Sequence, residues 1–185
     1  MRVISGEYGG RPLKAVPGTT TRPTTDKIKE SVFHMIGPYF DGGTVLDLYA
    51  GSGSLGIEAV SRGMDRAVLV DFNFKAIRVI QENVEMTKEP EKFTVLKKKD
   101  RQAIVELETA KRLFELVILD PPYALQKITE IVKDLESRNL IDSTSMILCE
   151  TDRNTILPES IGSFSVTKQK VYGSTRITVY RGGRE

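Results

Sequence analysis

Cysteine and histidine are almost missing from this chain: its 185 residues hold one of each, Cys149 and His34. A single cysteine excludes an internal disulfide and a cysteine-rich zinc site. Cys149 lies in the apolar run Met146-Ile-Leu-Cys149, the setting of a buried, inert thiol. Nothing resembles a nucleophilic triad or a metal cluster, so no metal is expected. No stretch approaches the roughly 20 apolar residues of a membrane span. The start, Met-Arg-Val-Ile-Ser-Gly, has no apolar signal core. A cytoplasmic protein with no membrane partner is expected. There is no internal repeat and no low-complexity tract.

What is present suits a soluble globular chain: 39% hydrophobic and 28% charged residues, enough for one catalytic-sized domain with a small extension. The net charge of +2 hides a pattern. Residues 1–40 and 151–185 each hold six lysines and arginines against three acids, and the stretch between holds 15 against 19. Basic ends suit a polyanion, and an acidic centre suits a cationic ligand. Ordinary solvated surface explains the same counts equally well.

The chain is organised around Thr44-Val-Leu-Asp-Leu-Tyr-Ala-Gly-Ser-Gly-Ser-Leu-Gly56. Val45–Tyr49 reads as a buried strand interrupted by Asp47, a carboxylate that needs a partner or a ligand. Gly51 and Gly53 allow positive φ and close approach of backbone to a ligand. A helix follows to Arg62, stopped by Gly63. Gly51, Gly53 and Gly56 also fit the dinucleotide fingerprint G-x-G-x-x-G, a weak match by itself. Asp47 tilts the choice. A pyrophosphate at the helix N-terminus gains nothing from a nearby anion. S-adenosylmethionine, with an ammonium, a sulfonium and no phosphate, does gain.

Along the chain, residues 1–16 read as a hairpin around Gly6-Glu-Tyr-Gly-Gly10. A helix capped by Thr24 or Thr25 follows, with Ile28, Val32, Met35 and Ile36 buried and Lys27, Lys29 and Glu30 outside. Strands and helices then alternate. Arg66–Asp71 is the second strand, 74–86 a helix, Phe93–Leu96 the third strand and 102–113 a helix. Leu116–Asp120 is the fourth strand, followed by a helix through Leu125–Leu135 and the strand Ser145–Cys149. Val166–Val171 and Arg176–Tyr180 close as a hairpin through Tyr172-Gly-Ser-Thr175. Alternation predicts an α/β, doubly wound, mostly parallel sheet with an antiparallel edge. His34, near the buried helix face, reads as a packing or hydrogen-bonding residue.

Ligands of open α/β sheets sit off the strands' carboxyl ends. Asp71, 18 residues after Gly53, suits a ribose diol better than a helix cap. Asp100 suits an adenine amine, with capping nearly as good a reading. Asp120-Pro-Pro-Tyr123 ends the most apolar strand. Two prolines fix φ and remove two donors, leaving carbonyls as rigid acceptors. Acceptors on an exocyclic base amine aim its delocalised lone pair, and Tyr123 offers a stacking face. Asp120 is the candidate proton acceptor.

With these residues in place, the chain resembles the bacterial small-subunit ribosomal RNA guanine-N2 methyltransferase family over essentially its whole length. The resemblance rests on Arg2-Val-Ile-Ser-Gly6, Arg22-Pro-Thr-Thr-Asp26, Glu30-Ser-Val-Phe33, Asp47-Leu-Tyr-Ala-Gly-Ser-Gly53, Leu55-Gly-Ile-Glu-Ala59, Asp120-Pro-Pro-Tyr123 and Tyr172-Gly-Ser-Thr175. His34, Tyr49 and Asp71 stand where the family commonly has Asn, Phe and Glu. The resemblance implies a seven-stranded methyltransferase sheet (residues 22–185) with an N-terminal hairpin extension (residues 1–21). It implies S-adenosylmethionine as donor and 16S rRNA, in the small subunit or its assembly intermediate, as substrate. Carried over, Asp47, Tyr49, Ala50, Gly51, Ser52, Gly53, Asp71, Phe72, Asp100 and Arg101 hold the cofactor. Asp120, Pro121, Pro122 and Tyr123 hold the target base, and Arg2, Arg11, Arg22 and Thr24 approach the RNA. Another amino-methyltransferase, acting on DNA or a protein glutamine, and a non-catalytic assembly factor are the competing readings.

Overall fold

A computed structural model describes residues 1–18, 25–122 and 124–183, without the side chains of 124–126. The site residues Arg22, Thr24 and Tyr123, expected from the sequence, lie outside the described residues. The chain divides into two compact units, residues 1–100 and 101–185.

In the first unit the helix α1 (Asp26–Ile36) is capped by Thr25, whose hydroxyl accepts from the Ile28 N–H at 3.3 Å. Strand β1 (Thr44–Asp47), helix α2 (Ser54–Ser61), β2 (Arg66–Asp71), α3 (Phe74–Glu85) and β3 (Phe93–Lys97) follow. A short 3₁₀ turn, Pro90–Lys92, precedes β3. The strands lie in the order β3-β2-β1, all parallel. Val45, Leu46, Val68, Leu69 and Val70 are fully buried, as parallel strands covered on both faces require. Helix α4 (Asp100–Thr109) begins at the boundary between the units and is shorter and earlier than the periodicity predicts.

The second unit holds β4 (Leu116–Leu119), α5 (Ala124–Ser137), β5 (Met146–Asp152), β6 (Ser160–Ile161), β7 (Phe164–Tyr172) and β8 (Thr175–Gly182). Its strand order is β4-β5-β8-β7-β6, parallel between β4 and β5 and antiparallel beyond. The described residues thus form eight strands instead of seven. The extra one, β6, has two residues and too little pattern to be read from sequence.

The first residues pair as a narrow antiparallel loop with one bridge, Arg2 to Pro12. The Val3 N–H donates to the Arg11 carbonyl and the Gly10 N–H to that of Val3. Val3, Tyr8 and Leu13 are buried, and the segment is part of the first unit's packing.

Lys29 departs from the helix pattern. Periodicity puts it on the solvent face of α1, yet it is fully buried. Its ammonium donates to the Arg2 carbonyl at 2.5 Å and to the Ser54 hydroxyl at 3.0 Å, and lies 3.4 Å from Glu58. Glu58, also fully buried, accepts from Arg62 Nε at 2.8 Å and from the Ile4 and Ser5 N–H groups at 2.9 and 3.1 Å. Desolvation lowers the Lys29 ammonium from its ordinary pKa, against the pull of Glu58. The Arg62 guanidinium stacks 5.0 Å from the Phe33 ring, which offsets a buried Nη2 that has no hydrogen-bond partner among the described residues. His34, read as a packing or hydrogen-bonding residue, does not pack: it is on the open side of α1, with its ring 4.0 Å from Glu30.

Candidate functional site

The turn after β1 is built by its glycines and held by carboxylates. Gly51 and Gly53 have φ of +57° and +80°, which side chains with a Cβ rarely adopt. Gly56 serves closeness: a Cβ there would lie 2.3 Å from Leu69 Cδ2. Helix α2 therefore packs directly on β2. Gly53 is the N-cap of α2 and has no side chain to cap with. Asp47, 3% exposed, does that work from the end of β1, accepting from the Gly56 N–H at 3.2 Å. A carboxylate at a helix N-terminus is favoured by the helix dipole.

Asp71, at the end of β2, joins its strand to the same turn. One carboxylate oxygen accepts from the Gly51 N–H at 3.0 Å and the other from the Asn73 N–H at 2.9 Å. The cap of α3 is Asn73, whose side chain accepts from the Lys75 and Ala76 N–H groups. A carboxylate has about four acceptor positions, so two remain on Asp71. Tyr49 donates its hydroxyl to Asp100 at 2.7 Å. Hydrogen bonds thus tie Gly51 to Asp71 and Tyr49 to Asp100. Ala50 donates its N–H to Val70, and its own carbonyl accepts from Gly53. Phe72 stands 66% exposed beside Asp71.

Sequence reasoning missed Asn83. It is fully buried on α3, and its amide donates to the Ser52 carbonyl at 2.9 Å and the Lys14 carbonyl at 3.0 Å. It fixes the middle of the turn. A signal for it exists: a polar residue three positions after Ile80, in register with the apolar face.

In the second unit Asp120 follows β4 directly, Pro121 is buried and Pro122 is exposed. The Asp120 residue reaches solvent, yet protein crowds its carboxyl, and that desolvation raises it from the usual range to about 6. Arg101 forms an exposed pair with Glu130 at 2.8 Å. Of the arginines read as RNA contacts, Arg2 pairs with Asp26 at 3.2 Å. Arg11 donates to the Met86 and Thr87 carbonyls at the end of α3 and lies over the Tyr8 ring. Among the described residues no cluster of metal-ligating side chains occurs, and no helix is long and apolar enough to cross a membrane.

Comparison with known proteins bears on this arrangement. Residues 1–181 match the family model described as conserved hypothetical protein 95. The chain is 45% identical over 184 residues to the Bacillus subtilis protein named "Putative rRNA methyltransferase YlbH", covering 98% of each. It is 27% identical over 181 residues to Ribosomal RNA small subunit methyltransferase D of Escherichia coli, covering 98% of this chain and 89% of that one. The solved structure titled "Putative methyltransferase yhhF from Escherichia coli" superposes with a TM-score of 0.82 at 26% identity, over 100% of this chain and 99% of that one.

Proposed function

The chain belongs to the conserved hypothetical protein 95 family, and from that premise we propose that it is an S-adenosylmethionine-dependent methyltransferase of small-subunit ribosomal RNA. The finer reading is transfer to the exocyclic N2 amine of a guanine in 16S rRNA. The observation that carries the cofactor assignment is the pair of hydrogen bonds between the glycine turn and two carboxylates, Gly51 to Asp71 and Tyr49 to Asp100. The two remaining acceptor positions on Asp71 suit a vicinal diol. Asp47 supplies negative charge at the first turn of α2, which suits an ammonium and repels a pyrophosphate. Phe72 offers an exposed ring for an adenine. S-adenosylmethionine, when bound, supplies an electrophilic methyl on sulfur.

This chain's own residues do the rest. Asp120 and the Pro121 carbonyl accept from the amine and orient it, and the Asp120 carboxylate takes its proton as the nitrogen becomes cationic. Tyr123 stacks on the base. Positioning of this kind is worth on the order of 7–11 kcal/mol. Support for ribosomal RNA comes from the names of the relatives in Bacillus subtilis and Escherichia coli.

The test is transfer of labelled methyl to small subunits, and to stripped 16S rRNA, from a strain lacking the protein, followed by nucleoside analysis. A single N2-methylguanosine is expected. Label in DNA, in protein or as N6-methyladenosine would reassign the substrate to another amino-methyltransferase class. Cofactor binding with no transfer to any of these would favour an assembly factor.

A further inference from the structure

The closing ribbon, β7 and β8, carries a feature that the methyl-transfer reading does not use. Residues 164–182 contain Lys168, Lys170, Arg176 and Arg181 and no acid. Thr167 to Val171 are exposed on both faces of β7, whereas Ile177 to Tyr180 of β8 are buried on both faces. Strand β6 pairs with β7 only at Phe164 and Ser165. From Thr167 onward the outer strand therefore stands clear of the unit's core. Lys168 and Lys170 share one face, about 6.8 Å apart along the strand, close to the spacing of successive phosphates. The Lys170 ammonium lies 5.0 Å from the Tyr172 ring.

The tip is braced. Tyr172 pairs with Thr175 across a two-residue turn, Gly173-Ser174, and Gly173 has φ +57°, the positive value a primed hairpin turn needs at its first position. Arg176 Nε donates to the Arg153 carbonyl at 3.0 Å, and Arg153 Nη1 donates to the Gly173 carbonyl at 3.3 Å. Two arginines thus meet at the tip, next to a half-exposed aromatic ring.

We propose that the β7–β8 ribbon is a contact surface for the RNA phosphate backbone, with Tyr172 available to stack on an unpaired base. The proposal rests on the ribosomal RNA reading above. Lysines also guard exposed strand edges against pairing with other chains. That role requires neither the tip arginines nor the ring, and it predicts no salt-dependent effect on RNA.

The experiment measures affinity of the full chain for stripped 16S rRNA across a series of salt concentrations. For Lys168→Gln/Lys170→Gln, the slope of log K against log salt should fall by about 1.4, at about 0.7 per lost single-strand phosphate contact. The KM for RNA should rise with kcat, cofactor affinity and melting temperature unchanged. Lys133→Gln, an exposed lysine on α5, should leave the slope intact. If the double variant aggregates, Lys170→Gln alone should lower the slope by about 0.7. An unchanged slope in the ribbon variant, with wild type binding normally, overturns the inference and leaves the functional reading standing. An equal loss in Lys133→Gln overturns it too, since bulk charge would then suffice. Wild type that neither binds nor methylates RNA removes the functional reading and the inference together.

Discussion

Glu58→Gln is the sharpest probe of how the first unit holds together. The change is nearly isosteric and removes one charge. It leaves Lys29 and Arg62, 0% and 3% exposed, without their shared anion. It also replaces an oxygen that accepts from Ile4 or Ser5 by an amide that donates. Breaking a buried pair from one side costs about 3–5 kcal/mol. For a chain of this size that corresponds to roughly 6–20 °C in melting temperature. Lys29→Met should cost less, because Glu58 keeps Arg62 and two backbone donors. In the double variant the two losses should not add, since they share one network. The assay is a thermal melt with amide hydrogen exchange, and faster exchange should concentrate at Ile4, Ser5 and Tyr8. A Glu58→Gln shift below about 1 kcal/mol, in the range of an exposed pair, would refute the view that this network anchors the N-terminal segment.

Gly56→Ala should destabilise by about 1–3 kcal/mol through overpacking against Leu69, read as a lower urea midpoint, and Leu69→Ala in the same chain should recover part of it. The Asp120 carboxyl, raised to about 6 by desolvation, must be ionised to take a proton. The rate constant kcat/KM should therefore rise with pH through about 6 and level above it, and a flat profile from about pH 5 to pH 8 would contradict its role. Asp120→Asn should abolish transfer while cofactor affinity by calorimetry stays within about twofold. Asp71→Asn should weaken cofactor binding about 10- to 150-fold, the worth of hydrogen bonds to a charged group, with RNA affinity unchanged; equal loss of both would sink the assignment.

Much of this was legible because it is written locally. Strand β4 is the plainest case: Leu116–Leu119 is apolar throughout and buried throughout. The glycine turn announces itself through Gly51 and Gly53. Lys29 escapes a reading by period because a lysine on a helix is normally solvated, and its long-range partner Glu58 is what makes burial tolerable. Nothing near residue 29 names residue 58. The same holds for Asp47, whose acceptor role depends on the Gly56 N–H reaching back across the turn. Asn83 is recoverable from its register on the apolar face of α3. Contacts set by three-dimensional closeness escape the sequence, and patterns set by period do not.

The order in which the chain is synthesised gives the N-terminal packing another meaning. The Ile4 N–H must wait 54 residues for Glu58, and the Tyr8 hydroxyl 81 residues for Glu89. At about 5–20 residues per second, the second wait lasts roughly 4–16 s. Until then the partners of Tyr8, Arg11 and Lys14 on residues 83–89 are missing. Residues 3–14 emerge before the rest of their unit yet are among the last of it to settle, and nascent chains ending before Glu89 should leave them open to protease.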